Sequence, residues 1–143
     1  MSRPVNLPDV PFVPSDTESL GLVEINAPSL VIDLGSGDGR VLKWFGDHYP
    51  DADLIGYELD AGRVSESEAM VPAAQILQEN MWDADVSQAD VVYTYWLSNL
   101  MDGFYEVFWP QMKSGAIVIS LCFEIGQLTP TAQVGQFYIY QKP

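Results

Sequence analysis

Only six lysine and arginine residues stand against twenty aspartates and glutamates, a formal net charge of −14. A chain so short of cations is a poor partner for nucleic acid, because phosphate binding depends on Lys and Arg. Cysteine is nearly absent as well. The single Cys122 cannot form an internal disulfide, and its neighbours Leu121 and Phe123 point to a buried strand residue rather than a nucleophile or ligand. No metal site is expected. The one histidine, His48, falls at the end of a helical segment beside Tyr49 and Pro50, where a surface residue is expected rather than a base. No apolar run approaches the ~18 residues of a membrane span. Met1-Ser2-Arg3-Pro4 lacks the apolar core of a signal peptide, so a cytoplasmic location without a membrane partner is the expectation. Two readings of the acidity stay open: solubility or adaptation to a salty milieu, and steering of a cationic partner such as a basic protein tail.

What is present is enough for one packed domain: 143 residues, 48% hydrophobic and 12% aromatic. Residues 1–16 hold Pro4, Pro8, Pro11 and Pro14, which exclude helix and predict an extended strap lying over a domain of residues 17–143. Ser15 or Asp16 stands where it can cap a short helix over 17–23. Strands are expected at 30–34, 53–58, 74–78, 90–95 and 116–123, with helices over about 39–48, 61–70 and 99–112 between them. In the first of these helices Val41, Leu42, Trp44 and Phe45 form the apolar stripe. A last strand follows at 136–141, and 132–134 is either an abbreviated strand or a loop. The alternation predicts an α/β protein with a Rossmann-like, doubly wound, mostly parallel sheet.

The stretch Val31-Ile32-Asp33-Leu34-Gly35-Ser36-Gly37-Asp38-Gly39-Arg40 carries the most information. It combines a buried strand, an acid at its tip, and a turn with glycine at alternate positions that opens a helix. Glycines let backbone approach a ligand where a side chain would block it. The N–H groups of the turn and of the helix N-terminus are expected to form an electropositive cradle. A dinucleotide fingerprint needs its third glycine three residues after the second. That position is Arg40, and the glycine falls one step early at Gly39. No Gly-Lys-Ser/Thr follows, which excludes a P-loop.

Asp-Leu-Gly-Ser-Gly-Asp-Gly resembles motif I of the class I S-adenosylmethionine methyltransferases instead. In sheets of this kind ligands sit at the carboxyl ends of the strands, and three such ends supply suitable groups in order. Asp33 can pair with the cofactor's cationic α-amino group. Glu58, 19 residues beyond Gly39, can accept both ribose hydroxyl hydrogens. Asn80 offers an amide for the adenine edge, and Met81 and Trp82 offer apolar faces for its ring. Gly35, Ser36 and Gly37 complete the expected cofactor set. Each has a plainer role open to it: Asp33 as a cap, Glu58 as a loop carboxylate, Asn80 as a turn amide, Trp82 as a core aromatic. In methyltransferase sheets the last strand is often an antiparallel hairpin partner, which is expected for 136–141.

After the fourth strand comes Tyr93-Thr94-Tyr95-Trp96-Leu97-Ser98-Asn99, without the Asn-Pro-Pro-Tyr tetrad of many amino-methylating nucleic-acid enzymes. Tyr95, Trp96, Ser98 and Asn99 can line a channel that orients an amine, and an apolar channel lowers a lysine pKa by desolvation. Together with Pro11-Phe12-Val13-Pro14-Ser15, the glycine turn and Glu58, these residues resemble the small archaeal protein lysine methyltransferases and their mitochondrial relatives over roughly residues 9–125. The resemblance implies that Phe12, Val13, Pro14 and Ser15 fold over the cofactor. It implies a trimmed class I fold, S-adenosylmethionine as cofactor, and a basic or lysine-bearing protein as substrate, with Tyr95, Ser98 and Asn99 at the catalytic position. The segment before the first strand and the carboxyl-terminal part are shorter than that pattern. Glu124 either attracts a lysine or solvates a loop. A small-molecule methyltransferase and a non-catalytic cofactor-binding module are the alternatives, with a nicotinamide-dependent oxidoreductase behind them.

Overall fold

A computed structural model of the chain describes residues 17–95 and 100–143. Its centre is a seven-stranded sheet of β1 (Leu30–Leu34), β2 (Asp53–Tyr57), β3 (Gln75–Leu77), β4 (Val91–Thr94), β5 (Ile117–Leu121), β6 (Ala132–Val134) and β7 (Phe137–Gln141). The spatial order is β3-β2-β1-β4-β5-β7-β6. The first five strands run parallel, and β7 pairs antiparallel with both β5 and β6. The expected doubly wound sheet with an antiparallel carboxyl-terminal strand is therefore present, and residues 132–134 are a strand. Leu34 lies beside Tyr57, and Asp33 lies between Gly56 and Tyr93. The tips of the central strands thus stand level.

Helices α1 (Arg40–His48) and α2 (Ala61–Met70) follow β1 and β2, and α3 (Met101–Val107) precedes β5. Burial on both faces explains the apolar strands. On one face Val31, Val91, Tyr93 and Ile119 meet Val41, Leu42 and Phe45 of α1. On the other, Ile32, Leu34, Val92 and Val118 meet Leu100, Met101, Phe104 and Phe108. His48 is exposed, its ring stacked 4.0 Å from that of Trp44, as a surface helix end should be.

Three local expectations change. The segment at 17–23 is a 3-10 turn, Glu18–Leu22, and Thr17 at its start makes no side-chain cap. The helix over 99–112 stops at Val107 and gives way to a 3-10 turn, Trp109–Gln111, because Pro110 has no N–H to continue the ladder. Cys122 is exposed, not a buried strand residue: β5 ends at Leu121, and Cys122 adopts a left-handed φ of 69°. Its N–H still donates across the strand pair to the Gln136 carbonyl (2.7 Å), and the left-handed φ turns the chain out of the sheet.

At the amino end of the sheet, Asp90 ties three strands together. Its carboxylate accepts from the N–H groups of Ser29 (2.7 Å) and Leu30 (2.9 Å) and pairs with Lys113 (2.8 Å), just ahead of β5. Partial burial opposes the charge, but the Lys113 ammonium and the two N–H groups prevail and hold its carboxyl below the usual range.

Close packing of α1 and β3 on β2 depends on Gly56. A methyl group there would lie 2.8 Å from both Leu42 Cδ1 and Ser36 Cβ, and 3.1 Å from Ile76 Cδ1. Gly56→Ala should therefore cost about 1–3 kcal/mol, as overpacking does. Gly126→Ala, where nothing lies within 4 Å, should be close to neutral. Urea unfolding of both variants checks the contrast.

Candidate functional site

The strand order reverses between β1 and β4, and the glycine turn leaves the tip of β1 at that point. Gly35, Gly37 and Gly39 all take positive φ (117°, 57° and 90°), which accounts for all three glycines. Nothing lies within 4 Å of where a Gly35 side chain would be, so the backbone there faces open space. At Gly39 a Cβ would approach Ser67 Cα to 3.0 Å, so α2 packs directly on the turn.

The electropositive cradle is not what these groups build. The Ser36 N–H donates to the Tyr57 carbonyl (2.9 Å), the Gly37 N–H to Glu58 Oε1 (3.0 Å), the Gly39 N–H to the Ser36 carbonyl (2.9 Å) and the Arg40 N–H to Asp38 Oδ1 (3.1 Å). Four donors that a phosphate would need are spent inside the protein.

Carboxylates converge instead. Asp33 is buried at the tip of β1, and its Oδ1 has no hydrogen-bond partner. Burial first, and then the neighbouring charges of Glu58 and Asp38, push its carboxyl well above the ordinary aspartate value. Arg40 folds back on Asp38 (Nη2 to Oδ2, 2.6 Å) and holds that carboxyl low, so this arginine is already engaged. Glu58 follows β2 directly. Its own N–H is fixed to the Leu77 carbonyl of β3 (3.0 Å), and its Oε2 accepts from the Asp60 N–H (3.0 Å). A carboxylate has about four acceptor sites. With two taken by backbone N–H groups, Glu58 is held rigidly and can still accept two hydroxyl hydrogens.

The remaining sequence candidates divide. Asn80 caps the 3-10 turn Met81–Asp83, its side chain accepting from the Trp82 N–H (3.0 Å). Trp82 is buried and stacked on Phe108 (5.8 Å between centroids), a core contact, and half-buried Met81 packs on the same cluster. Tyr95, just past β4, is half-buried and lies nearly parallel to Phe123, just past β5 (6.1 Å, 15°). The Ser120 hydroxyl donates to the Phe123 carbonyl (2.6 Å) and ties down the backbone that carries that ring. Glu124 beside it is exposed. Thr94 at the end of β4 is fully buried, and its Oγ1, like Asp33 Oδ1, has no partner. Phe12, Val13, Pro14, Ser15, Trp96, Ser98 and Asn99 lie outside the described residues. Two residues had not been singled out: Phe123, and Ser67 of α2, whose hydroxyl reaches the turn (2.7 Å to the Gly37 carbonyl).

Residues 33–132 match the family described as the ANTKMT methyltransferase domain, a span from the buried acid to β6. The chain belongs to that family. A protein-lysine N-methyltransferase of Saccharolobus islandicus (strain REY15A) is 28% identical over 134 residues, covering 87% of this chain and 83% of that protein. The crystal structure of an RNA methyltransferase from Salinibacter ruber in complex with S-adenosyl-L-homocysteine superposes with a TM-score of 0.81 at 26% identity, over 92% and 94% of the two chains. The plantazolicin methyltransferase BpumL in complex with the same ligand shares the fold at 17% identity and a TM-score of 0.57, over 66% of this chain and 38% of that one. The chain is thus a methyltransferase of the class I fold, with S-adenosylmethionine as its cofactor.

The site's chemistry fits that cofactor, whose ammonium and sulfonium give it net positive charge. A buried acid with one oxygen unpartnered and a second, rigidly held carboxylate favour such a ligand, whereas a diphosphate would meet repulsion and four turn N–H groups already engaged.

Asp33 supplies a measurable consequence. Its folded pKa lies above its unfolded one, so between the two values the folded state holds more protons than the unfolded state. Without ligand, stability should fall as pH rises through that window and stay lowered above it. Asp33→Asn removes the penalty. In melts of the ligand-free protein from pH 4 to 8, its advantage over wild type should grow with pH. Calorimetry should meanwhile show S-adenosylmethionine binding weakened by about 1–3 kcal/mol, the cost of losing a charged hydrogen-bond partner.

Proposed function

We propose that the chain transfers methyl groups to lysine side chains of basic proteins. The observation that carries this reading is the Tyr95–Phe123 pair, an apolar aromatic wall at the carboxyl ends of β4 and β5. When bound, S-adenosylmethionine supplies a sulfonium methyl group for in-line displacement by an uncharged nucleophile. A lysine must therefore shed its proton before it reacts. Tyr95 and Phe123 lower the pKa of the approaching amine by desolvation, so it gives its proton to bulk water as it enters and no dedicated base is required. Glu124, exposed beside Phe123, draws the ammonium to the mouth of the channel. Within the cofactor site Asp33 binds the cationic amino group and Glu58 the ribose hydroxyls, while the backbone from Gly35 to Gly37, with Ser36 between them, lines the methionine portion.

The charge of the molecule supports a basic acceptor. Arg40, Lys43 and Lys113 are paired with Asp38, Asp47 and Asp90, and Lys142 lies over the Trp109 ring while bonded to its carbonyl. RNA would find few cations to hold its phosphates, whereas a lysine-rich segment would be attracted to the acidic surface. The relative from Saccharolobus islandicus is named for lysine methylation and the structure from Salinibacter ruber for RNA, so the acceptor is the quantity to test.

Incubation with labelled S-adenosylmethionine should label a mixture of basic proteins, lose that label when their lysines are acetylated beforehand, and leave total RNA unlabelled. Label confined to RNA or to small molecules would overturn the lysine reading. Tight cofactor binding with no transfer at all would leave a binding module. Tyr95→Ala and Phe123→Ala should each lower kcat/KM about tenfold, ~1.4 kcal/mol of barrier. Their activity should shift to more alkaline pH, because a better-hydrated lysine keeps a pKa nearer its free value of about 10.4.

A further inference from the structure

Helix α2 faces solvent almost everywhere, and its two buried residues are Val64 and Ser67, one turn apart. A buried position on such a helix normally takes an apolar side chain. Here it holds a serine with no exposed surface. The Ser67 hydroxyl lies 2.7 Å from the Gly37 carbonyl oxygen and 3.1 Å from Ser36 Oγ. A hydroxyl has one proton to give. The carbonyl can only accept, so Ser67 donates to Gly37 and the Ser36 hydroxyl donates to Ser67. The chain of donors therefore ends on the peptide at the middle of the cofactor turn.

That residue is held on its other side as well, by the bond from its N–H to Glu58 Oε1. Two elements that follow one another in sequence, the end of β2 and α2, thus grip Gly37 by both its polar groups, and its φ of 57° is fixed between them. The close approach at Gly39 is what allows so short a side chain to reach. We propose that Ser67 is a positioning residue for the cofactor: by holding the Gly37 carbonyl it keeps the turn in ligand-ready shape before anything binds. Ser67 is fully buried behind the turn and touches no ligand itself; it acts through Gly37 and, across that residue, through the orientation of Glu58.

The test compares full-length wild type with Ser67→Ala and Ser67→Cys, using S-adenosylhomocysteine as the probe. The alanine variant removes the donor. The cysteine variant keeps a side chain of similar shape with only a weak donor, and serves if alanine does not fold. Calorimetry should show affinity reduced about three- to tenfold in either variant, the range of one net hydrogen bond. KM for S-adenosylmethionine should rise while KM for the acceptor stays put. In ligand-free protein, amide exchange over residues 36–39 should quicken while amides in β1 and β4 stay protected, and saturating probe should restore protection. Wild-type affinity with unchanged exchange at 36–39 would overturn the proposal, and so would exchange rising equally in β1 and β4, which marks general loosening. If wild type itself failed to bind the probe, the cofactor assignment would fall instead, and exchange at 36–39 would still decide whether Ser67 holds the turn.

Discussion

A carboxylate without a counter-charge, buried at the tip of the central strand, is the constraint around which this molecule is arranged. Asp33 costs free energy where it stands, because desolvation and the nearby charges of Glu58 and Asp38 all disfavour its ionised form. The surrounding sheet, packed by apolar clusters on both faces, holds it in place. The groups beside it deepen the demand for a cation. Backbone N–H donors that would have neutralised the site are turned inward, and the one arginine at the turn is engaged with Asp38. A positively charged ligand would relieve that cost by favouring the ionised form of Asp33.

The same economy of positive charge extends outward. Three of the five lysines and arginines among the described residues are drawn into local ion pairs, and the twenty acids of the chain outweigh the rest. Cofactor and proposed acceptor are both cationic, so one charge balance serves both. In the proposed arrangement short-range geometry separates the two: carboxylates at the ends of β1 and β2 face the first, and aromatic rings past β4 and β5 face the second.

Much of this was legible in the sequence. Hydrophobic runs and glycine spacing located the strands within a residue or two, and Asp33 and Glu58 emerged because each stands at the carboxyl end of a strand, where the fold presents ligands. What stayed hidden depends on contacts between distant segments. Whether a turn's N–H groups are free depends on partners such as Tyr57 and Glu58, some twenty residues away. Ser67 gave no signal beyond its spacing from Val64, since serine in a polar helix is unremarked until the helix is docked. Cys122 misled for a related reason: an apolar neighbourhood implied continued strand, but β5 ends at Leu121 and the left-handed backbone of Cys122 leaves it exposed. Trp82 was open between ligand wall and core, and its stacking on Phe108 puts it in the core.

The Asp90 knot lies at the opposite edge of the sheet from every group discussed above as a ligand contact. It fastens the beginnings of β1, β4 and β5, so the order and level of the strands are settled far from the chemistry. The loops at the other edge are relieved of that duty. Their residues can be exchanged, lengthened or trimmed with little risk to the foundation. A scaffold with its anchor at one end and its variable surface at the other is one on which relatives of similar architecture can come to modify quite different molecules.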